Sequence, residues 1–184
     1  MSCNFEDLSR FLSYVLRHEP EHIGLELDAE GWGSIKELMS GAAGKGVFVS
    51  LVEVEEVVST NDKKRFEISS DGLRIRAIQG HSTKLVRRRY SELEPPEYLY
   101  HGTAERFLES IRHRGLVPGG RHHVHLTSDR VLASEAGRRF GKVILLKISS
   151  QSMYRKGFVF FKSENEVWLT DSVPANFIIE VDKE

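Results

Sequence analysis

The sequence predicts an α+β protein made of two parts that differ in pattern and in charge. Residues 6–60 contain three helical patterns, and residues 63–76 read as a hairpin with one charged and one apolar face. Residues 97–184 contain several short strand-like segments with only one or two helices among them, which argues against a doubly wound parallel sheet. We therefore expect one domain over residues 1–90 and a second over residues 97–184, which the chain length of 184 residues allows.

The first helix is predicted over residues 6–18. Its apolar residues fall on one side at helical spacing: Leu8, Phe11, Leu12, Val15 and Leu16. Because Pro20 disfavours helical backbone at Glu19, the helix should end near Arg17 and His18. These two side chains would then lie at a helix C-terminus, where the backbone dipole favours cations, with their tips accessible.

Two serine–glutamate pairs predict where the next two helices begin. Ser34 with Glu37, and Ser50 with Glu53, have the spacing of a capping box. The two predicted helices end near Gly44 and Thr60.

A basic hairpin is predicted after the third helix, with Asp71-Gly72 as its turn. From Asn61 to Tyr90 there are nine basic and three acidic side chains, a net charge of +6, in a chain whose total is −1. Such a local excess favours a polyanionic partner, although a solvated hairpin face would have the same composition. Helices followed by a basic hairpin resemble a winged-helix module, a fold that commonly binds nucleic acid.

The segment after the hairpin is the best candidate for a linker. Arg87-Arg88-Arg89 and Pro95-Pro96 bracket it, and the charge balance of the chain changes there.

The second part is predicted to begin with a strand over residues 98–103 and a helix over residues 104–113, capped by Gly115. Ser128 or Asp129 would cap a second helix that extends to about Arg139. Further strands are predicted over residues 143–148, 157–161, 166–169 and 177–181.

Alternation predicts the faces of one more strand. Val124 and Leu126 alternate with His123, His125 and Thr127, so the latter three would share a face. His122 and its neighbours could suggest a metal site, but no carboxylate or thiol lies at matching spacing, and alternation puts His122 opposite the other two histidines. We therefore expect no metal.

Composition and absent motifs exclude several other classes of protein. Cys3 is the only cysteine, which excludes an internal disulfide and a zinc site built on cysteine pairs. No apolar run approaches the roughly 20 residues of a membrane helix, so the expectation is a cytoplasmic protein, and a monomer by default. Neither a dinucleotide-binding glycine fingerprint nor a Walker motif is present.

Three segments contain the residues that could carry chemistry. They are Leu16-Arg17-His18, then Lys64-Arg65-Phe66 with Arg74-Ile75-Arg76-Ala77-Ile78-Gln79-Gly80-His81-Ser82, and then Tyr100-His101-Gly102-Thr103 with Arg121-His122-His123-Val124-His125-Leu126-Thr127. Each residue alone has a structural explanation, such as a helix cap for Arg17 or a buried strand histidine for His101. Together, in this order from about Leu8 to Val181, the segments resemble the tRNA 2′-phosphotransferase family, NAD-dependent enzymes of RNA splicing and repair.

The resemblance implies an N-terminal winged-helix lobe that binds RNA and a C-terminal lobe with the ADP-ribosyltransferase fold. It implies that an internal RNA 2′-phosphate is transferred to NAD through an RNA-2′-phospho-ADP-ribose intermediate. The products would be RNA with a free 2′-hydroxyl, nicotinamide and ADP-ribose 1″,2″-cyclic phosphate. The expected partners are 2′-phosphorylated, tRNA-like RNA and NAD as co-substrate.

The same resemblance places four catalytic side chains at Arg17, His18, Arg65 and Arg121. The three guanidinium groups would clamp the phosphate and stabilise charge on it. His18 would hydrogen-bond the phosphate or donate a proton in the second step. Arg139 is a weaker alternative to Arg121.

The resemblance also implies two sets of binding residues. The expected NAD-binding residues are His101, Gly102, Thr103, His125 and Thr127. The expected RNA-binding residues are Arg74, Arg76, His81 and Ser82.

Two other functions stay open at this point. One is an ADP-ribosyltransferase that modifies protein or nucleic-acid ends and leaves the modification attached. The other is a non-enzymatic RNA-binding protein whose second lobe is degenerate.

Overall fold

The computed structural model describes residues 5–181 and divides into two compact units, Met1–Arg89 and Tyr90–Glu184. Each unit is built around its own hydrophobic core. Helices combine with small antiparallel sheets in both units, which confirms the α+β prediction. Cys3 lies outside the described residues. No helix of residues 5–181 is both long enough and apolar enough to span a membrane.

The first unit contains three helices and three short strands among its described residues. In chain order they are α1 (Phe5–Arg17), β1 (Gly33–Ser34), α2 (Ile35–Gly44), α3 (Leu51–Ser59), β2 (Phe66–Ile68) and β3 (Arg74–Ala77). The predicted end of α1 at Arg17 is confirmed. A 3₁₀ turn over Pro20–Ile23 follows it, as expected where proline prevents the helix from continuing.

Both predicted helix starts are confirmed. The Ser34 side chain accepts a hydrogen bond from the backbone of Glu37, at 3.3 Å. Ser50 and Glu53 form a complete capping box, with the Ser50 backbone donating to the Glu53 carboxylate at 2.8 Å. These bonds satisfy backbone donors that a helix N-terminus otherwise leaves unpaired.

The predicted hairpin is confirmed as the pair β2–β3, with Gly72 at φ +73° in its turn. Phe66 pairs with Ala77 and faces the core, whereas Glu67 pairs with Arg76 on the other face. The strand β1 adds to the free edge of β3, giving the sheet order β1–β3–β2. The strand β1 was not predicted, because two residues are too few to show an alternating pattern.

The second unit has three helices and seven strands among its described residues. In chain order they are β4 (Ser91–Glu92), β5 (Leu99–Ala104), α4 (Leu108–Arg114), β6 (Val124–Leu126), α5 (Arg130–Arg138), β7 (Val143–Ile148), α6 (Ser150–Arg155), β8 (Phe161–Lys162), β9 (Trp168–Thr170) and β10 (Ile178–Val181). They form two antiparallel sheets, ordered β10–β7–β5 and β4–β8–β9–β6. Asp129, rather than Ser128, caps α5. The helix α6 was missed because its six residues are too few to establish a helical period.

The proposed linker segment is partly structured. Arg88 is buried, and its guanidinium donates to the carbonyl oxygen of Ile78 in the first unit. Ser91–Glu92 is an edge strand that pairs with β8 in the second unit. Residues on both sides of Arg89 therefore belong to folded units.

Backbone contacts link β5, the terminal strand of its sheet, to the residue after β6 and to α5. Tyr100 and Thr127 exchange backbone hydrogen bonds of 2.7 and 3.0 Å, which link β5 to the residue after β6. The helix α5 crosses β5 where Gly102 faces Gly137. A Cβ atom added to Gly102 would lie 1.7 Å from the Ala133 carbonyl oxygen, so only glycine permits this approach.

Candidate functional site

The end of α1 holds the first two predicted catalytic residues. The carbonyl oxygen of Arg17 accepts hydrogen bonds from the backbone of Ser82 at 2.9 Å and of Thr83 at 3.3 Å. The next residue, His18, places its Nδ1 atom 2.8 Å from Ser82 Oγ. A loop 64 residues further along the chain therefore closes this helix and contacts the Arg17-His18 pair.

Arg17 is buried, with 8% of its surface exposed. The expectation that its tip would be accessible at the helix end is therefore wrong. Its guanidinium carbon lies 5.9 Å from the centre of the Phe66 ring. Gly80, at φ +91°, packs beside it, since a Cβ atom added there would lie 3.6 Å from Arg17 Cδ. The returning loop thus covers the residue that a helix end alone would leave open, whereas His18 stays half-buried.

Arg65 is held at the start of β2, directly before Phe66. Its backbone donates to the Asn61 side chain at 3.2 Å and accepts from Ile78 at 2.9 Å. The preceding residue, Lys64, has the left-handed φ of +41° that turns the chain into the strand. The contacts of Phe66 with Arg17 and of Asn61 with Arg65 could not be predicted, because they depend on the fold.

The two hairpin arginines have different surroundings. Arg76 forms an ion pair with Glu67 at 2.8 Å and stacks 4.3 Å from the centre of the Trp32 ring, with 13% of its side chain exposed. Arg74 lies 5.5 Å from the same ring, approaches Asp28 at 4.0 Å, and leaves half of its side chain exposed. Of these two predicted RNA-binding residues, Arg74 is therefore the more exposed to solvent. Trp32 was missed, since no local signal links it to the hairpin.

His81 is 3% exposed and lies against Gly31, where an added Cβ atom would be 3.1 Å from His81 Nε2. The RNA-binding role of His81 stays a prediction, for a side chain that is buried in this structure.

A second cluster lies in the second unit and joins His101, Arg121 and His125. Arg121 Nη1 is 3.0 Å from His125 Nδ1. Because a guanidinium can only donate, that nitrogen accepts and carries no proton. His101 Nδ1 is 2.9 Å from the carbonyl oxygen of His125, which can only accept, so this nitrogen carries the proton. In a neutral His101, Nε2 therefore carries no proton and can accept a hydrogen bond.

The electrostatics agree with a neutral His101. Burial lowers its pKa, the positive charge of Arg121 lowers it further, and the bond to the His125 carbonyl opposes both. Burial also lowers the pKa of Arg121, with a contribution from the nearby charge of Arg139. The Arg121 guanidinium still carries its proton near neutral pH. Arg139, the weaker alternative for the catalytic role, thus lies within electrostatic reach of Arg121.

The remaining predicted NAD-binding residues have structural roles. Gly102 is required by the approach of α5. Thr103 is 6% exposed and pairs with Ile144 across the sheet. The Thr127 hydroxyl accepts from the backbone of Asp129 at 3.1 Å, next to the start of α5.

The histidine-rich segment does not gather into one group. His123 packs edge-on against Tyr90 and Phe161, at centroid distances of 6.1 and 5.8 Å. His125 instead belongs to the Arg121 cluster. Within residues 5–181, no three side chains of the metal-ligating types lie together.

Comparison with known proteins identifies the family. A family model described as RNA 2′-phosphotransferase, Tpt1 / KptA family, matches residues 4–172. The chain is 55% identical over 176 residues to a probable RNA 2′-phosphotransferase of Burkholderia lata, covering 96% of this chain and 91% of that protein. It is 56% identical over 173 residues to a probable RNA 2′-phosphotransferase of Pseudomonas fluorescens, covering 94% and 95%. The chain therefore belongs to the RNA 2′-phosphotransferase, Tpt1 / KptA family.

Proposed function

We propose that the protein removes an internal 2′-phosphate from RNA by transferring it to NAD. The proposal is supported chiefly by the match to this family over residues 4–172, a range that contains Arg17, His18, Arg65 and Arg121. The first unit would act as a winged-helix RNA-binding lobe. The second would act as an ADP-ribosyltransferase-like lobe that binds NAD.

In the first step, an oxygen of the RNA 2′-phosphate attacks the anomeric carbon of the nicotinamide ribose. The bond from that carbon to nicotinamide breaks, and the leaving nitrogen keeps the electron pair. Because a phosphate dianion is already a nucleophile, no general base is needed, and the contribution of the protein is to align the two reactants. Arg17 and Arg65 suit this task, since guanidinium groups stay charged and can bond two phosphate oxygens at once.

In the second step, the ribose 2″-hydroxyl attacks the phosphorus and releases its proton to solvent. The bond from phosphorus to the RNA 2′-oxygen breaks, and that oxygen takes up a proton from His18. Negative charge increases on the phosphorus centre in this step, where the fixed charges of Arg17 and Arg65 would stabilise it. The products are RNA with a free 2′-hydroxyl and the cyclic phosphate of ADP-ribose.

His101 is suited to hold NAD. Its unprotonated Nε2 atom can accept a hydrogen bond from a ribose hydroxyl, and its neutral state adds no charge beside that hydroxyl. Arg121 is half-buried and hydrogen-bonded to His125, so its charge is available to a phosphate group in a fixed direction.

The test uses a short RNA with one internal 2′-phosphate, incubated with the protein with and without NAD. We expect NAD-dependent loss of the phosphate and release of the cyclic phosphate of ADP-ribose, resolved by gel and mass spectrometry. His18→Ala should accumulate RNA-2′-phospho-ADP-ribose, because it lacks the proton donor of the second step. His113→Ala is the matched control, since His113 is an exposed histidine of α4 outside both clusters.

Other outcomes favour the two alternative functions. A stable ADP-ribosyl adduct made by the unmodified protein would mean that only the first step occurs, as in an ADP-ribosyltransferase. RNA binding without any reaction would indicate a non-enzymatic RNA-binding protein. Decay of the intermediate at an unchanged rate in His18→Ala would rule out the role of His18.

A further inference from the structure

The hydroxyl of Ser82 makes a specific contact with a predicted catalytic residue. His18 Nδ1 and Ser82 Oγ are 2.8 Å apart, and both side chains are partly buried. We propose that Ser82 is the positioning residue of His18: its hydroxyl bonds Nδ1 and so orients the imidazole ring whose Nε2 exchanges a proton with the substrate. The proposal rests on the proposed function for the role of His18 in the second step.

The backbone of each residue in this hydrogen bond is itself hydrogen-bonded to α1. The His18 backbone donates to the carbonyl oxygen of Tyr14 at 2.9 Å, which continues the hydrogen bonding of α1 by one residue. The Ser82 backbone donates to the carbonyl oxygen of Arg17 at 2.9 Å. Because each residue is tied to the same helix end, the distance between the two side chains is set by the fold and not by two mobile loops.

The loop that carries Ser82 is shaped to lie over this helix end. Gly80 has φ +91°, a value that favours glycine, and an added Cβ atom there would already touch Arg17. His81 is buried, which anchors the loop from the opposite side. The segment therefore brings one accessible hydroxyl to one ring nitrogen of His18.

A hydroxyl suits a histidine that must transfer a proton. It can accept from a protonated Nδ1 or donate to a bare one, so the bond persists in every protonation state of the ring. When His18 is a cation, Nδ1–H donates to Ser82 and Nε2–H faces the substrate. Loss of the Nε2 proton to the departing 2′-oxygen leaves a neutral ring whose remaining proton still bonds to Ser82.

The neutrality of the partner is also important. A carboxylate at Nδ1 would stabilise the imidazolium and hold its charge through the reaction. Serine orients the ring without adding that stabilisation, so the proton on Nε2 remains available to the substrate. The pairing thus fits a proton donor better than a permanently charged phosphate clamp, a role that Arg17 already fills.

The first test measures the ring-nitrogen signals of His18 directly and does not depend on any reaction. In the full-length protein with ¹⁵N-labelled histidine, the His18 signals are identified by their loss in His18→Ala. Ser82→Ala should move both ring-nitrogen signals of His18, because Nδ1 loses its partner and the tautomer balance changes. Ser82→Thr, which keeps a hydroxyl, should retain the original shifts.

Thr83→Ala is the matched control for this measurement. Thr83 is the next residue, its hydroxyl accepts from the backbone of Leu85 at 3.4 Å, and it makes no side-chain bond to His18 among the described residues. Its removal should leave the His18 signals in place. Unchanged signals in Ser82→Ala would overturn the proposal.

The second test follows the decay of the RNA-2′-phospho-ADP-ribose intermediate in a single turnover. Ser82→Ala should slow this decay by about 10- to 100-fold, the range that corresponds to one hydrogen bond to a charged group. Formation of the intermediate should change little, and Ser82→Thr should restore the decay. Equal slowing of both steps, together with a lower unfolding temperature, would mean that Ser82 only stabilises the fold, and would overturn the proposal.

The two tests separate this inference from the proposed function. If Ser82→Ala moves the His18 signals but the unmodified protein transfers no phosphate to NAD, the proposed function fails, and the catalytic part of this inference fails with it. If transfer occurs but the His18 signals do not respond to Ser82, the proposed function stands and the inference alone is wrong.

Discussion

At the residue scale, the protonation of two nitrogens in the histidine cluster follows from their hydrogen-bond partners, each of which can only donate or only accept. A guanidinium only donates and a carbonyl oxygen only accepts. His125 Nδ1 therefore carries no proton, whereas His101 Nδ1 is protonated. The chain thus presents a neutral acceptor at His101 beside a fixed cation at Arg121. That combination suits the hydroxyl groups and phosphates of a dinucleotide.

A pH prediction follows from the lowered pKa of His101. The folded protein takes up this proton at a lower pH than the unfolded chain, where the pKa is near 6.5. The unfolded state therefore binds more protons in this range, and stability rises with pH. The contribution of His101 is complete above the unfolded value and is lost as the pH falls from there through the folded value.

Urea unfolding at a series of pH values from about 7.5 down to 5 checks this prediction. His101→Gln should reduce the loss of unfolding free energy at acid pH, because an amide can still donate to the His125 carbonyl but does not titrate. His123→Gln measures the contribution of His123 to the same loss of unfolding free energy, since burial also lowers the pKa of His123. An identical pH dependence in His101→Gln and the unmodified protein would contradict the assignment.

At the element scale, the hairpin β2–β3 uses its two outward arginines differently. Arg76 joins the strand pair to Trp32 and Glu67, whereas Arg74 remains half exposed. Arg76→Ala should lower the free energy of unfolding by about 1–2 kcal/mol, the combined size of an ion pair with a half-exposed partner and a largely buried cation–π contact. Arg74→Ala should change stability little but weaken RNA binding without altering sequence preference.

Denaturant unfolding and fluorescence anisotropy with labelled RNA separate these two effects. Each variant serves as the control for the other, since the two arginines lie on the same strand and contact the same ring. Equal losses of RNA affinity, with no difference in stability, would show that both arginines act as phosphate contacts.

The crossing of α5 over β5 supplies the next prediction. Gly102→Ala would force a Cβ atom into the Ala133 backbone, and overpacking of this kind costs about 1–3 kcal/mol or more. Gly120→Ala is the control, because a Cβ atom there meets nothing within 4 Å. Thermal unfolding of the two variants should differ clearly. If Gly102→Ala kept full stability but lost NAD binding, the glycine would serve the cofactor and not the packing.

At the scale of the whole molecule, charge is distributed in a way that favours local binding of RNA. The chain carries −1 in total, yet residues 61–90 carry nine basic and three acidic side chains. If Arg17, Arg65 and Arg74 each displace counterions, the logarithm of RNA affinity should fall with the logarithm of salt concentration at a slope of about −2. A slope near zero would contradict phosphate contacts by these residues.

Local interactions explain which features were predictable. The helix starts at Ser34 and Ser50, the end of α1 before Pro20 and the turn at Gly72 all depend on neighbours a few residues apart. The strand β7 was predicted at its observed bounds because six residues suffice to show a pattern. The site residues came from short motifs and a family resemblance, and their chemical roles remain predictions.

By itself, the sequence determined the α+β class, the main helices, the basic hairpin and the family, because these follow from local patterns and short motifs. Only the tertiary structure decided which residues meet. It brought Ser82 to His18 across 64 positions, buried Arg17 beneath the same loop, and tied Arg76 to Trp32 while leaving Arg74 exposed. The physical reason is that these contacts form between segments distant in the chain, where no local pattern encodes the partner.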